Sequence, residues 1–417
     1  MQAVLSRRKS GAGYPRQFWL LFWGVLFNRA SVSILWPFLT VYMYQKLDVP
    51  LATVTLLMTA RAVTSIGSTA VVSPIMDRFG RKRPMVWSLF AATAVFVAMS
   101  AADTIWAWLI LLGLHGIVMP IFNNGVHAMV ADIVPSEQRA PAYALVRMIS
   151  NAGIAIGPVI GSTLALISFE LIFLTTGFFY IILGVLVAVF IVETMPETLQ
   201  SESTDHGAGY GTILKDRFFL VFCGIYLLVL MAYSQVFTLL PVYASENFGL
   251  MENEYSLFVT VNATMVVLLQ YAVTRLTVRY RPQPVIVLGA IFYTVGLFSF
   301  VLDSSLLHFS ISMAIITLGE LIINPTAITL VANRAPIDMR ARYLGILNLG
   351  YPVAAGIGPV IGGYLNDTVA PVAIWYGAGI MAASGLIGFF LLMRLTGQVE
   401  RRESSTPVMT GETATGS

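Results

Sequence analysis

Twelve apolar segments of roughly 20 residues each, enough for a helix to cross a bilayer, limit what this chain can fold into. They lie near residues 17–43, 51–76, 84–101, 105–133, 138–167, 170–192, 217–244, 253–278, 284–302, 306–333, 339–366 and 371–395. The 417 residues are 57% hydrophobic and 11% charged, which leaves too little charge to cover a soluble surface. We therefore expect an all-α membrane protein with twelve transmembrane helices.

Polar stretches divide these segments into two groups of six. Ser, Thr, Gly and charged residues fill the stretch after the sixth segment, which is typical of a flexible linker. The stretch after the twelfth is also polar, and we expect it to be disordered. The predicted division is a cytoplasmic tail at 1–16, a six-helix bundle at 17–192, a cytoplasmic linker at 193–216, a second six-helix bundle at 217–396 and a cytoplasmic tail at 397–417.

The basic residues predict how the chain is oriented. Of the 24 Lys and Arg residues, Lys46 alone falls in a loop on one side, and Arg29, Arg61 and Arg147 fall within segments. All the others lie on the opposite side, which the positive-inside rule assigns to the cytoplasm. We expect a multi-pass protein of the cell membrane, plasma or bacterial inner, with both termini cytoplasmic.

Several classes of function are disfavoured. A net charge of +3 gives no indication of a nucleic-acid partner, and Cys223 is the one cysteine, so a thiolate metal site is not expected. The chain has no Gly-rich phosphate loop with lysine, so it is not an ATPase. His127 and Asp132 have the spacing of an acyltransferase motif, but five residues separate them by about 140° around a helix. We expect a monomer that is not an enzyme and that needs no metal or cofactor.

The two halves of the sequence are related. A shift of 201 residues places Pro135 on Pro336, Arg139 on Arg340 and the segment Gly157–Gly161 on Gly358–Gly362. Six segments followed by six keep the same orientation, so this is a parallel repeat about an axis along the membrane normal. The expected substrate site lies between the halves.

The loop after the second segment, Asp77-Arg-Phe-Gly-Arg-Lys82, resembles the signature loop of the major facilitator superfamily. The resemblance implies the major facilitator fold, with two six-helix bundles. It also implies a gating charge network of Asp77, Arg81, Asp132 and Arg139 that stabilises the outward-open state. The alternative is a solvated loop that only sets the topology.

The fifth segment contains Arg147, Asn151, Gly153, Gly157, Pro158 and Gly161, and this pattern resembles a motif found in antiporters of the superfamily. Its glycines are four residues apart and share one helix face, so a neighbouring helix can come close, and its proline is expected to kink the helix. The second half repeats the pattern, and packing without any effect on transport direction is the alternative. Leu112 stands where proton-coupled drug antiporters commonly have arginine. The helix-packing residues are Gly153, Gly157, Pro158, Gly161, Gly358, Pro359 and Gly362.

Glu320 is the one acid, of 21 Asp and Glu residues, near the middle of an apolar segment. A charge at the bilayer centre costs about 3 kcal/mol or more, so such a residue is a functional candidate. Its surroundings, Thr317-Leu-Gly-Glu-Leu-Ile-Ile-Asn-Pro325, resemble the tenth helix of proton-coupled multidrug exporters and oligopeptide transporters. We expect Glu320, with Arg29, to form the proton-coupling site. A structural ion pair with Arg29 or another deep arginine is the alternative.

The resemblance implies a cavity lined by helices 1, 4, 7 and 10. The expected function is proton-coupled efflux of a small amphipathic or drug-like compound, as in the drug:proton antiporters. Proton-coupled uptake or exchange of a metabolite or nutrient is one alternative, and a lipid flippase or non-transporting membrane sensor is another. The expected partners are the small molecule, protons and the lipid bilayer. The predicted cavity residues are Asn28, Trp36, His115, Asn123, Asn124, Gln235, Asn324 and Asn348.

Overall fold

The computed structural model describes residues 14–194, 213–302, 305–336 and 339–405. Most of the predicted linker and most of both predicted tails lie outside these ranges. Twelve helices in the described part are long and apolar enough to cross a membrane. They are α1 Arg16–Leu47, α2 Leu51–Phe79, α3 Lys82–Ser100, α4 Ile105–Ile133, α5 Ser136–Ala165, α6 Phe169–Phe190, α7 Arg217–Phe248, α8 Glu252–Thr277, α9 Pro282–Ser299, α10 Leu306–Arg334, α11 Arg340–Thr368 and α12 Ala373–Ser405.

Four of the described helices begin after a residue whose side chain caps the first turn. Thr104, Ser168, Asp216 and Ser305 each accept a hydrogen bond from a backbone N–H in the first turn of α4, α6, α7 and α10. Such a bond satisfies one of the N–H groups that a helix start leaves without a partner. At the other end of the chain, α12 continues to Ser405, past the expected boundary at residue 396. No proline interrupts this polar stretch, and its Glu, Arg and Gln favour helix.

The helices form two bundles of six with the same internal packing. In the first bundle α1 packs on α5, α2 on α4 and α3 on α6. In the second, α7 packs on α11, α8 on α10 and α9 on α12, which is the same set moved by six helices. The bundles meet through α2 with α11 and through α5 with α8, again a symmetric pair. The expected fold of two bundles related by a parallel repeat is confirmed.

Glycines bring α5 against α1 within the first bundle. A Cβ placed on Gly157 would come within 2.7 Å of Ala30 O, and one on Gly153 within 2.8 Å of Leu26 O. Gly161 approaches Ile34 O one turn further along. The second bundle repeats this contact, because Gly358 and Gly362 face Met231 and Gln235 on α7. The predicted helix-packing glycines therefore lie in close helix contacts.

A pair of serine hydrogen bonds joins the same helices. Ser33 Oγ donates to Ile154 O over 3.0 Å, and Ser234 Oγ donates to Ala354 O over 3.0 Å. Ser33 and Ser234 are related by the sequence shift of 201 residues. The repeat is thus present in individual contacts as well as in helix order.

The two bundles contact each other at the end that carries Lys46, predicted to be extracellular. The carboxylate of Asp367, on α11, accepts hydrogen bonds from the backbone N–H groups of Leu51 and Ala52, at 3.3 and 2.8 Å. Thr59 Oγ1 donates to Gly356 O over 2.6 Å, farther from the Lys46 end along the same two helices. The carboxylate of Asp367 therefore caps the first turn of α2, which belongs to the other bundle.

Toward the opposite end α2 and α11 separate. A Cβ on Gly67 of α2 or on Gly345 of α11 would meet no atom within 4 Å. Leu349 and Tyr351, on the same part of α11, are 40% and 38% exposed. The protein is therefore closed at the Lys46 end and open toward the end of the α2–α3 loop, which the charge pattern predicts to be cytoplasmic.

Candidate functional site

A cavity of about 300 Å³ lies between the bundles. The first bundle lines it with residues of α1, α2 and α5, and the second with residues of α7, α8 and α10. α4, which we expected to contribute, supplies none of the described lining residues. The cavity is lined by Arg29, Val32, Ser33, Trp36, Pro37, Arg61, Asn151, Ile154, Tyr233, Phe237, Val259, Asn262, Ala263, Val266 and Glu320.

Glu320 projects into this cavity from α10. Tyr233 Oη donates to Glu320 Oε2 over 2.6 Å, and Asn262 Nδ2 donates to the same oxygen over 2.7 Å. Asn262 Nδ2 is also 3.0 Å from Thr317 Oγ1, which lies one turn before Glu320 on α10. Three helices, α7, α8 and α10, therefore hold the carboxyl group in place with neutral donors.

Glu320 forms no ion pair with an arginine in the described part of the chain. Arg29 and Arg61 line the same cavity, but they extend from the first bundle, on α1 and α2. Arg147, on α5, is exposed and makes no salt bridge to Glu320 among the described residues. In this conformation the acid is held by hydrogen bonds, and the expected alternative of a structural ion pair is not formed.

Arg61 is held by two side-chain contacts. Its guanidinium carbon lies 4.0 Å from the centre of the Trp36 ring, a cation–π stack. Its Nε donates to His115 Nδ1 over 3.2 Å. His115 is buried, with 5% of its surface exposed, and its ring meets Phe96 edge to face.

A second polar cluster follows Glu320 along α10. Asn324 lies one turn further on and accepts a hydrogen bond from Tyr226 Oη over 3.0 Å. The hydroxyl groups of Tyr226 and Tyr351 are also 3.0 Å apart. Tyr226 lies two turns before Tyr233 on α7. Two tyrosines of α7 therefore donate hydrogen bonds to two polar side chains of α10, Asn324 and Glu320.

Of the eight predicted cavity residues, Trp36 lines the cavity. Four others are buried in helix packing: Asn28, His115, Gln235 and Asn324. Asn28, for example, donates to Tyr180 Oη over 2.9 Å inside the first bundle. Neighbouring residues on a helix point about 100° apart, so Asn28 faces inward while Arg29 faces the cavity. Asn123, Asn124 and Asn348 are not among the lining residues.

The predicted gating residues lie within the first bundle. Arg81 Nε is 3.6 Å from Asp132 Oδ2, and Arg139 Nε donates to Val134 O over 3.1 Å. The side chain of Asp77 lies outside what the structure describes. Arg81 and Asp132 thus contact each other in a conformation that is open at their own end.

Glu193 is a residue of this region that we did not predict. Its two carboxylate oxygens accept the backbone N–H groups of Arg81 and Lys82, at 2.8 and 2.9 Å. Gly80, with φ of 86°, makes room for this carboxylate, since a Cβ there would meet it at 2.5 Å. The sequence could have indicated this contact, because Glu193 follows the sixth segment on the side of the membrane that carries the cationic α2–α3 loop.

Tyr233 was not predicted either. It is one of 17 tyrosines in the chain, and nothing in its surrounding sequence distinguishes it. It lies 87 residues from Glu320, and only the tertiary arrangement of the second bundle brings the two side chains together.

A cavity between two repeated six-helix bundles, with an acid on one wall, is the arrangement expected of a secondary membrane transporter. The sequence profile of the Major Facilitator Superfamily matches residues 21–251 and, again, 225–412. The chain belongs to the Major Facilitator Superfamily.

Individual relatives are distant. A Na(+), Li(+), K(+)/H(+) antiporter of Planococcus maritimus is 25% identical over 388 residues, covering 85% of this chain and 89% of that protein. Multidrug resistance protein MdtH of Yersinia enterocolitica is 25% identical over 367 residues, covering 86% and 89%. The crystal structure of the nucleoside transporter NupG superimposes with a TM-score of 0.77 at 11% identity, over 91% of this chain and 99% of that one. A peptide transporter POT solved with sulfate has a TM-score of 0.74 at 16% identity, over 94% and 96%. These two structures show the shared fold.

Proposed function

We propose that the protein exports a small amphipathic compound in exchange for protons, with Glu320 as the residue that binds and releases the coupling proton. One observation carries the proposal. The carboxyl group of Glu320 lies in the cavity that both bundles line and is held by Tyr233 and Asn262, and no cation of the described residues lies within ion-pair distance of it. A carboxyl group in such surroundings can exist in both protonation states.

The geometry suggests how the two states differ. The Tyr233 and Asn262 donors stabilise the ionised carboxylate, and protonation weakens both bonds. Each of these residues belongs to a different helix of the second bundle, so a proton on Glu320 changes contacts between α7, α8 and α10. The coupling proton thereby acts on the helices that form one wall of the cavity.

The direction of transport is supported by the relatives. The multidrug resistance name of MdtH favours export, and the Planococcus protein, a Na(+), Li(+), K(+)/H(+) antiporter, favours antiport. The cavity favours an organic substrate over a bare metal cation, because Trp36, Phe237 and aliphatic side chains form much of its lining. Uptake or exchange of a metabolite, with Glu320 coupling symport, is the second candidate. Its support is that Arg29 and Arg61, on the wall facing Glu320, suit a charged metabolite.

The remaining predicted sites have a place in this proposal. We assign Arg81, Asp132, Asp77 and Arg139 to a gating network at the predicted cytoplasmic end, which the 3.6 Å approach of Arg81 to Asp132 supports. The glycines of α5 and α11 keep each helix close to its partner in the same bundle while the bundles move. Arg29 stays a candidate partner of Glu320 in the conformation that closes the cavity from the other side.

Transport in proteoliposomes tests the proposal. The purified protein is reconstituted with the pH-sensitive dye pyranine inside, and cationic ethidium and anionic fluorescein are offered as substrates with and without a proton gradient. We expect transport of at least one dye to depend on the gradient and to move protons in the opposite direction. Glu320→Gln should abolish the proton movement.

Glu170→Gln is the matched control, because Glu170 is an exposed acid in the first turn of α6. It should behave as the unmodified protein does. Gradient-driven transport that persists in Glu320→Gln would rule out Glu320 as the coupling residue. Protons that move in the same direction as the substrate would favour symport.

A further inference from the structure

The wall of the cavity opposite Glu320 carries a cation that pairs with no carboxylate in the described part of the chain. Arg61 lines the cavity from α2, and the structure places no ion pair on it within the described residues. An arginine in a membrane-spanning helix without an acidic partner is unfavourable, so its presence there indicates a function.

The guanidinium group is held in one orientation. The Trp36 ring covers one face at 4.0 Å, and the bond from Nε to His115 Nδ1 fixes the edge. Gly116 makes this arrangement possible, because it has no Cβ to collide with Arg61 O and Thr64 where α4 crosses α2. The adjacent His115 can therefore reach Arg61 from α4.

This orientation leaves one side of the group free. An arginine has five N–H donors, and the one on Nε is used by His115. The four on the two Nη atoms make no hydrogen bond to any residue in the described ranges, and Arg61 lines the cavity. A planar fork of parallel N–H groups matches the oxygens of a carboxylate, a sulfonate or a phosphate.

We propose that Arg61, stacked on Trp36, is a subsite for the anionic group of an aromatic substrate. This deepens the proposed function and rests on it, since it names the chemical class of the exported compound. The substrate's oxyanion meets the Nη donors, and its ring packs against Trp36 and Phe237. Glu320 stays on the opposite wall and is available to the proton. At about 300 Å³ the cavity has the size of a small solute.

A binding measurement tests the subsite without any transport. The purified protein in neutral detergent is titrated with naphthalene probes of one size: 1-naphthaleneacetate, 1-naphthalenesulfonate and 1-naphthyl phosphate. The neutral 1-naphthaleneacetamide and 1-naphthalenesulfonamide are the comparison. Affinity is read by isothermal calorimetry, and folding by the melting temperature of each variant.

We expect at least one anion to bind more tightly than its neutral counterpart. Arg61→Gln should weaken that anion about tenfold or more, as the loss of hydrogen bonds to a charged group predicts, and should leave the amide unchanged. The affinity of Arg61→Lys for the anion should lie between those of the unmodified protein and Arg61→Gln, because lysine keeps the charge but not the planar guanidinium group. Arg78→Gln, an exposed arginine on the same helix, is the control and should bind as the unmodified protein does.

Three results would overturn the subsite. One is an equal preference for anions and neutral probes by the unmodified protein. Another is equal weakening of anion and amide in folded Arg61→Gln, which would mark Arg61 as structural. The third is loss of anion binding in Glu320→Gln as large as in Arg61→Gln, which would show that Arg61 acts through Glu320.

The binding titrations and the proteoliposome transport assay, taken together, separate the two proposals. Anion binding that depends on Arg61, together with proton coupling that survives Glu320→Gln, would leave the subsite standing and remove the coupling role of Glu320.

Discussion

Tyr233 Oη donates a 2.6 Å hydrogen bond to Glu320 Oε2, and this bond links α7 to α10 across the second bundle. The bond is as short as hydrogen bonds to a charged oxygen are. Asn262 donates to the same oxygen from α8. The protonation state of one carboxyl group is therefore coupled to the relative positions of three helices that line the cavity.

Removing the tyrosine hydroxyl should change how transport depends on pH. Phenylalanine in Tyr233→Phe cannot donate to the carboxylate, so the ionised form of Glu320 loses about 1.5 kcal/mol of stabilisation. Glu320 then stays protonated to higher pH, and the pH of half-maximal proton-coupled transport should rise by about one unit. The measurement is initial transport rate against pH in proteoliposomes.

Tyr226→Phe is the matched control for this change. Tyr226 lies on the same helix, and its hydroxyl contacts Asn324 and Tyr351 and not Glu320. Its pH profile should keep the midpoint of the unmodified protein. An unshifted midpoint in Tyr233→Phe would show that the hydrogen bond does not control protonation.

Asp367 should determine how long the Lys46 end of the protein stays closed. In Asp367→Asn the side chain keeps its size but loses the charge that the N–H groups of Leu51 and Ala52 and the dipole of α2 stabilise. Opening at that end should become severalfold more frequent. A cysteine in place of the buried Phe38, with Cys223 replaced by serine, reports the opening through its rate of modification by a membrane-impermeant maleimide.

Asp103→Asn is the comparison for Asp367. Asp103 pairs with Lys46 at 2.8 Å at the same end, but both residues belong to the first bundle. Loss of this ion pair in Asp103→Asn should not change the rate at which the cysteine at position 38 is labelled. Equal labelling in the two variants would mean that the Asp367 cap is not what holds the bundles together.

The close contact of α5 with α1 predicts a stability difference between two glycines. Gly157→Ala places a methyl group 2.7 Å from Ala30 O, so the helices must move apart, and overpacking of this kind costs about 1–3 kcal/mol. Gly67→Ala meets no atom within 4 Å, so its melting temperature should not fall. Thermal unfolding of the two variants in detergent is the measurement. Equal melting temperatures would contradict the importance of the glycine face.

Glu193 should hold the start of α3 in place. Glu193→Ala removes both acceptors of the Arg81 and Lys82 amides, and these amides should exchange with deuterium about tenfold faster. Glu170→Ala, an exposed acid at the other end of α6, should leave them unchanged. Unaltered exchange in Glu193→Ala would show that the turn at Gly80 is stable without the carboxylate.

Much of the architecture could be read from the sequence, because it depends on local properties. The length of each apolar segment sets a helix that can span a membrane, and the predicted segments correspond to α1 to α12 one by one. The repeat at 201 residues correctly indicated two bundles with the same packing. Glu320 was singled out because it is an isolated acid within an apolar segment, and in the structure it lines the cavity.

The tertiary structure decided which side of each helix faces the cavity. A membrane helix is apolar toward lipid and apolar toward its neighbours, so periodicity does not distinguish the two sides. Trp87 is 76% exposed and Trp108 is fully buried, although both lie in apolar segments. For the same reason the sequence could not show that Asn28 faces Tyr180 while Arg29 faces the cavity.

The sequence alone therefore determined the number, length and repetition of the helices, and it identified Glu320 as a functional candidate. The rotation of each helix, the pairing of Tyr233 with Glu320 and the stacking of Arg61 on Trp36 came from the tertiary structure. The physical reason is that these contacts join helices distant in the chain, and their geometry is set by the close packing of whole bundles.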